Sequence, residues 1–195
     1  MTKVAECEGA IYELIALGKA EQVKALCETE PCSNVAYCQK YLGWAYYKQN
    51  DLEKSLLWFA RAAKQDDGEA LFGIGSICVV RKDYRSALQY FEKAVARGYA
   101  RAYQWIGGIY QHGCGVPVDI NKATLSYQLG AAHGFIMAKR SLINIASQRG
   151  GIVIKIGLLP KLICLYFEIA KIVYSNVNDP RIVDIQNVFE KRIGS

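Results

Sequence analysis

The residues that could do chemistry are few in this chain, and their spacing argues against catalysis. Its two histidines are His112 and His133. Each falls at the end of a predicted helix, beside a glycine, where an imidazole caps the helix or faces water. There is no His-Glu-x-x-His zinc pair, no Gly-x-x-x-x-Gly-Lys phosphate cradle and no Gly-x-Ser-x-Gly nucleophile turn. Seven cysteines is an odd number. Cys27, Cys32 and Cys38 are spaced C-x4-C-x5-C, whereas structural zinc sites use tighter pairs with a second pair or histidines downstream. A buried free thiol behaves as a small apolar group, and that is the reading for Cys27 and Cys38. The first residues, Met1-Thr2-Lys3-Val4-Ala5-Glu6, lack an apolar signal core. The expectation is therefore a cytoplasmic chain with reduced cysteines and no disulfide needed for folding. It carries no metal and no cofactor and is not an enzyme.

The elements that would position any remaining chemistry are helices with a repeat. Leu42-Gly43 recurs as Ile74-Gly75 and Ile106-Gly107, a step of 32 residues (42 to 74 to 106). Phe59 and Phe91 keep the same step, as do Ala62 and Ala94, and Cys38, Ala70 and Ala102. Within one unit Ala102, Ile106 and Tyr110 mark a helical face. Gly107 lets a neighbouring helix approach. Gly113 and Gly115 stop the helix, since glycine accepts the left-handed conformation. Asp119 then caps the next helix, whose face is Ala123, Tyr127 and Ala131.

The stretch Ala102–Ala138 carries Gly107, Tyr110, Gly113, Gly115, Asp119, Lys122, Ala123, Tyr127, Ala131, Ala132 and Gly134 at a fixed spacing. That spacing resembles a Sel1-like repeat, a relative of the tetratricopeptide repeat. Leu42, Gly43, Tyr46, Phe59 and Ala62 resemble the tetratricopeptide pattern itself, with Ser55 in place of the usual alanine. The resemblance implies an all-α fold, an α-solenoid: a right-handed superhelix of antiparallel helix pairs, with a C-terminal capping helix.

The organisation expected is one repeat domain over 1–195. A degenerate first repeat covers 3–33, with helices Lys3–Leu17 and Ala20–Thr29. Repeats follow at 35–66 and 67–98, then a Sel1-like repeat at 99–134 with a longer loop, His112–Val118. A divergent last repeat covers 135–175 and opens with the helix Ile136–Arg149. A capping helix covers 179–193, after Asn178-Asp179-Pro180. The apolar segment Ile152–Leu159 has no helical face. A membrane span needs about 20 mostly apolar residues, and Lys155, Pro160, Lys161, Glu168 and Lys171 interrupt this region, so it reads as a buried or interface segment.

The core columns account for Tyr46, Phe59, Phe91, Tyr110 and Tyr127, but not for Trp44, Tyr47 and Phe72. In tetratricopeptide arrays the first helices line the concave face. Carried onto this chain, the ligand-contacting positions are Tyr37, Lys40, Trp44, Tyr47, Lys48, Phe72, Arg101, Gln104, Arg140 and Asn144. The resemblance thus implies a scaffold or adaptor that binds a partner protein or peptide on that face. Trp44, Tyr47 and Phe72 would be its apolar anchors, with lysines and arginines selecting an acidic segment. The bacterial roles it implies are secretion, envelope assembly or effector and immunity complexes. The alternative is an accessory subunit of a membrane-associated enzyme complex, such as one for polysaccharide assembly, docking through the apolar C-terminal part. The net charge of +6 is diffuse, without the basic stripe that nucleic acid requires. Oligomeric state is not encoded in these patterns.

Overall fold

The computed structural model describes residues 7, 9–11, 13, 14, 17, 19–29, 32–149, 160, 161 and 163–166. Among these there are helices and turns but no strand. In chain order they form α1 (Ala20–Glu28), a 3-10 turn (Cys32–Asn34), α2 (Ala36–Lys48), α3 (Leu52–Ala63), α4 (Gly68–Val80), α5 (Tyr84–Ala96), α6 (Ala102–His112), α7 (Ile120–Ala132) and α8 (Ile136–Arg149). The described residues between 7 and 14 are helical, as are 160, 161 and 163–166. The apolar segment 152–159 and the expected capping helix 179–193 lie outside the described residues. The chain divides into two compact units, 1–99 and 100–195.

In the first unit the helices run in pairs, α2 with α3 and α4 with α5. Each pair is joined by one compact device. At the end of α2 the Asn50 N–H donates to the Tyr47 carbonyl and the Asp51 N–H to the Tyr46 carbonyl, both at 3.0 Å. This is a Schellman closure, with Asn50 in the left-handed region at φ 61°. The Asp51 side chain then accepts from the Lys54 N–H at 3.1 Å and caps α3. One repeat later the chain does the same again. Lys82 takes φ 61°, the Asp83 N–H donates to the Cys78 carbonyl at 2.9 Å, and the Asp83 carboxylate accepts from the Ser86 N–H at 3.2 Å. Hydrogen bonding from the Ser86 side chain, and then from its N–H, holds the Asp83 carboxyl below its ordinary value.

The second unit reaches the same closure across a longer loop. Gly113 and Gly115 take φ 68°. The Asp119 N–H nevertheless returns to the Tyr110 carbonyl, at 2.9 Å, and its carboxylate accepts from Asn121 and Lys122 N–H groups at 3.0 Å. Tyr46, Cys78 and Tyr110 occupy one column. The longer loop is therefore an insertion inside an unchanged hydrogen-bonded frame.

Packing inside each pair sets a glycine under an aromatic ring. A Cβ at Gly43 would lie 2.6 Å from the Phe59 ring, one at Gly75 2.6 Å from Phe91, and one at Gly107 2.5 Å from Tyr127. Phe59 and Phe91 are fully buried and Tyr127 is 2% exposed. Tyr46 and Tyr110 belong to the same pattern but are only half-buried. Their outer faces are covered by ammonium groups: Lys24 sits 4.6 Å and Lys54 5.3 Å from the Tyr46 ring centre, and Lys122 5.1 Å from that of Tyr110.

The structure corrects the expectation of uniformly reduced cysteines. Cys7 and Cys32 form a disulfide, with Cα atoms 5.6 Å apart. They are separated by 25 residues in sequence, so no local spacing announces the pair. Packing of Cys7 and Ile11 into one core cluster with Cys32, Val35 and Cys38 brings them together. Cys27 and Cys38, by contrast, carry thiols and are completely buried at core columns.

Gly107→Leu is expected to lower the melting temperature of the protein, because a side chain there must displace the Tyr127 ring. Overpacking of this kind costs about 1–3 kcal/mol. Thermal denaturation followed by circular dichroism measures it, and an unchanged melting point would contradict the contact.

Candidate protein-interaction cleft

Along α2, Tyr37, Tyr41, Trp44 and Lys48 fall at i, i+4, i+7 and i+11, so they share one helical face. This face opens into a cleft of about 340 Å³ in the first unit. Tyr37, Lys40, Tyr41, Trp44 and Lys48 form one wall; α1 contributes Glu21 and Lys24, and α4 contributes Glu69.

Trp44 is held on both its apolar and its polar side. Its ring meets Phe59 edge-on at 4.9 Å and Tyr47 edge-on at 5.6 Å, and lies tilted 6.1 Å from Phe72. Its indole Nε1–H donates to Glu69 Oε1 at 3.1 Å. The other Glu69 oxygen accepts from Lys40 Nζ at 3.2 Å, and Lys40 also lies 3.1 Å from Asp67 Oδ2. Asp67 in turn caps α4 by accepting from the Ala70 N–H at 2.9 Å. Both carboxylates sit at the N-terminal end of α4, where the helix dipole favours negative charge.

Burial of the Lys40 ammonium acts to lower its pKa, but the nearby Glu69 and Asp67 carboxylates outweigh it, and the net displacement is upward. Burial, assisted by Cys27 and Glu21, pushes the Tyr41 phenol up. The Tyr46 hydroxyl donates to Glu28 Oε1 at 2.6 Å, and this hydrogen bond with burial takes it to about 12.

The structure thus sorts the residues singled out by sequence. Tyr37, Lys40, Trp44 and Lys48 line one cleft. Tyr47 supports Trp44 from the side. Phe72 is 4% exposed, packed between Trp44, Phe91 and Tyr99, so it is core and offers a ligand nothing. In the second unit Gln104 is also buried, at 6% exposure, with its amide donating to Ser141 Oγ at 3.1 Å. Arg101 immediately precedes α6, and Arg140 and Asn144 are exposed one turn apart on α8. Sequence reasoning missed Glu21, Lys24 and Tyr41. Tyr41 was findable from the α2 periodicity; Glu21 and Lys24 depend on how α1 packs.

The second unit has its own cleft, wider at about 570 Å³ and mainly apolar, lined by Leu142, Ile143, Pro160 and Leu165 with Lys139 and Lys161. Among the described residues no group of acidic, histidine or cysteine side chains is placed to hold a metal. Among them, too, no helix is long and apolar enough to cross a membrane.

Paired helices in register, each pair closed by a left-handed residue and an aspartate cap, define a helix-pair repeat protein. The Sel1 repeat family profile matches residues 32–67, 69–99 and 100–135, more than half of the chain. The chain belongs to the Sel1 repeat family, whose members generally act as scaffolds for protein–protein interaction and are typically non-enzymatic. The fold is similar to that of a Sel1 repeat protein from Oxalobacter formigenes, with a TM-score of 0.67 at 23% identity over 98% of this chain and 86% of that one. It is also similar to c5321, a protective antigen of uropathogenic Escherichia coli with the same kind of fold, with a TM-score of 0.67 at 22% identity over 76% of this chain and 34% of that one. These likenesses establish the all-α solenoid class. In sequence, the chain is 36% identical over 95 residues to chitin synthase regulatory factor 3 of Schizosaccharomyces pombe, covering 46% of this chain and 10% of that protein. The chain spans about a tenth of the length of the curated relatives it matches.

Lys40→Met should lower stability at neutral pH by about 1 kcal/mol, since it removes charge-assisted hydrogen bonds between α2 and α4. The folded-state pKa of Lys40 lies above its ordinary value of 10.5. The contribution is therefore complete below that value and is lost as pH rises through the raised one. Melting curves from neutral to alkaline pH should show wild type converging on the variant. A constant gap would mean that the ion pairs do not join these helices.

Proposed function

We propose that this chain is a non-catalytic binding module that holds a segment of a partner protein in the α1–α2–α4 cleft of its first unit. The observation that carries the reading is the fixed Trp44 indole, anchored by Glu69 at a cleft to which Tyr37 and Tyr41 add two further rings. Aromatic side chains fixed in advance bind with little ordering cost, and tryptophan, tyrosine and arginine dominate binding hot spots. The partner segment places an apolar side chain against these three rings. An acidic residue beside it meets Lys48, which is exposed. Lys40 serves the scaffold instead, because its charge is already matched by Asp67 and Glu69.

The test is a random peptide display library selected on the whole protein, followed by titration of the selected peptides. They should carry an aromatic or aliphatic residue near a carboxylate. Lys48→Glu should weaken them about ten-fold or more with an unchanged melting point, mainly through slower association at low salt. Trp44→Phe keeps most of the packing but loses the Glu69 bond, and should also weaken them. Peptides that bind both variants as tightly as wild type would remove the cleft from consideration.

A second reading is favoured by the relative named as a chitin synthase regulatory factor and by the apolar cleft of the second unit. On that reading the chain is an accessory subunit of a polysaccharide-synthesising membrane enzyme. Leu142→Asp would then release it from membranes that carry such an enzyme, while Lys48→Glu would leave it bound.

A further inference from the structure

The charges around the cleft of the first unit are more evenly divided than its lysines suggest. Lys24, Lys40 and Lys48 line it together with Glu21 and Glu69, and Asp67 is bound to Lys40. Carboxylates thus equal ammonium groups in number, so the cleft and its immediate support carry no net charge at neutral pH. A segment with acidic residues alone is attracted by Lys48 and repelled by Glu21.

Most of these charges are already engaged. Lys40 lies 3.1 Å from Asp67 and 3.2 Å from Glu69, and the other Glu69 oxygen holds Trp44. Lys24 sits 4.6 Å from the ring centre of Tyr46, whose hydroxyl is bonded to Glu28. Two charged groups are left over. Glu21 is exposed in the first turn of α1, and Lys48 is exposed in the last turn of α2. Neither makes an ion pair among the described residues. They belong to different walls of the cleft, which also presents the rings of Tyr37, Tyr41 and Trp44.

Given this cleft as the proposed partner site, we infer that it selects a segment of mixed charge, in which an apolar residue is flanked by a carboxylate for Lys48 and by a lysine or arginine for Glu21. Glu21 is thereby a specificity-determining residue, and the partner carries a basic group as well as an acidic one. Two charges of opposite sign on two walls also fix the direction in which the segment lies. A reversed segment sets like charges against each other at both places, and such juxtaposition suppresses wrong partners and wrong registers. A segment with one sign of charge exchanges one attraction for one repulsion, and an uncharged segment loses both attractions.

The experiment uses the whole protein and the peptides selected in the display experiment. They should carry a lysine or arginine on one side of the apolar residue and an aspartate or glutamate on the other. Glu21→Gln should weaken them about three-fold or more, as removal of an exposed pair does, and Glu21→Lys about ten-fold, both with unchanged circular dichroism. Replacing the basic residue of the peptide by norleucine should weaken binding to wild type by the same factor as Glu21→Gln and have no effect on that variant, which ties the two groups to one pair. The doubly reversed protein, Glu21→Lys with Lys48→Glu, should select peptides with the two charges exchanged from the same library. Selected peptides without a basic residue overturn the inference. So do peptides that weaken with Lys48→Glu and Trp44→Phe yet ignore Glu21→Gln or tighten with it, and these leave the cleft standing as the partner site. Peptides that ignore all three variants remove the cleft itself.

Discussion

The close approach of paired helices depends on a glycine lying flat beneath an aromatic ring. Gly43 sits under Phe59, Gly75 under Phe91 and Gly107 under Tyr127, each too near the ring for a Cβ. Phe59 is enclosed from a second side by Gly73 of the following helix, where a Cβ would stand 2.5 Å from the ring. One buried ring thereby fixes the spacing within its own repeat and to the next. Burial of such a ring contributes roughly 1.5–3 kcal/mol, and the absence of a side chain opposite is what allows that burial to be complete. Ser55 adds a polar lock at the same place, with its hydroxyl donating to the Gly43 carbonyl at 2.8 Å. The rest of each unit, including the direction in which the α2 face looks, follows from this spacing.

Short-range polar groups do the joining. A left-handed residue and an aspartate close each helix pair in the first unit, and the second unit keeps the same backbone hydrogen bond while lengthening the loop. The aspartates are mostly local devices, but Asp67 has two duties: it caps α4 and binds Lys40 of α2. Duties of this kind decide what is left for recognition. Lys40 and the Glu69 carboxylate are committed to each other and to Trp44, so they shape the cleft rather than wait for a ligand. The cleft is left lined by the half-buried rings of Tyr37, Tyr41 and Trp44, with Lys48 exposed.

The cysteines show how one residue type takes different chemistry from its surroundings. Cys7 and Cys32 are oxidised to a disulfide, whereas Cys27 and Cys38 in the same cluster remain fully buried thiols. Cys78 replaces a tyrosine column and is half-buried, its thiol pushed up chiefly by burial.

The sequence by itself determined the helix pairs, because their signals are local and periodic. Glycine, aromatic and alanine columns recur every 32 residues, Asp51 and Asp119 cap where they were expected to, and Ile136–Arg149 is helical over the expected range. It also determined that Tyr37, Lys40, Trp44 and Lys48 share a face, since that is a property of one helix. Only the tertiary structure decided which of them remain available. Phe72 and Gln104 occupy surface positions in the repeat pattern, yet neighbouring side chains of their own units bury them. Lys40 is neutralised by residues 27 and 29 positions away, Glu21 and Lys24 join the cleft by the packing of α1, and Cys7 meets Cys32 across 25 residues. The physical reason is the same in each case. A repeat pattern encodes contacts within a helix pair, whereas burial, ion pairing and disulfide formation depend on distances between groups that no local spacing specifies.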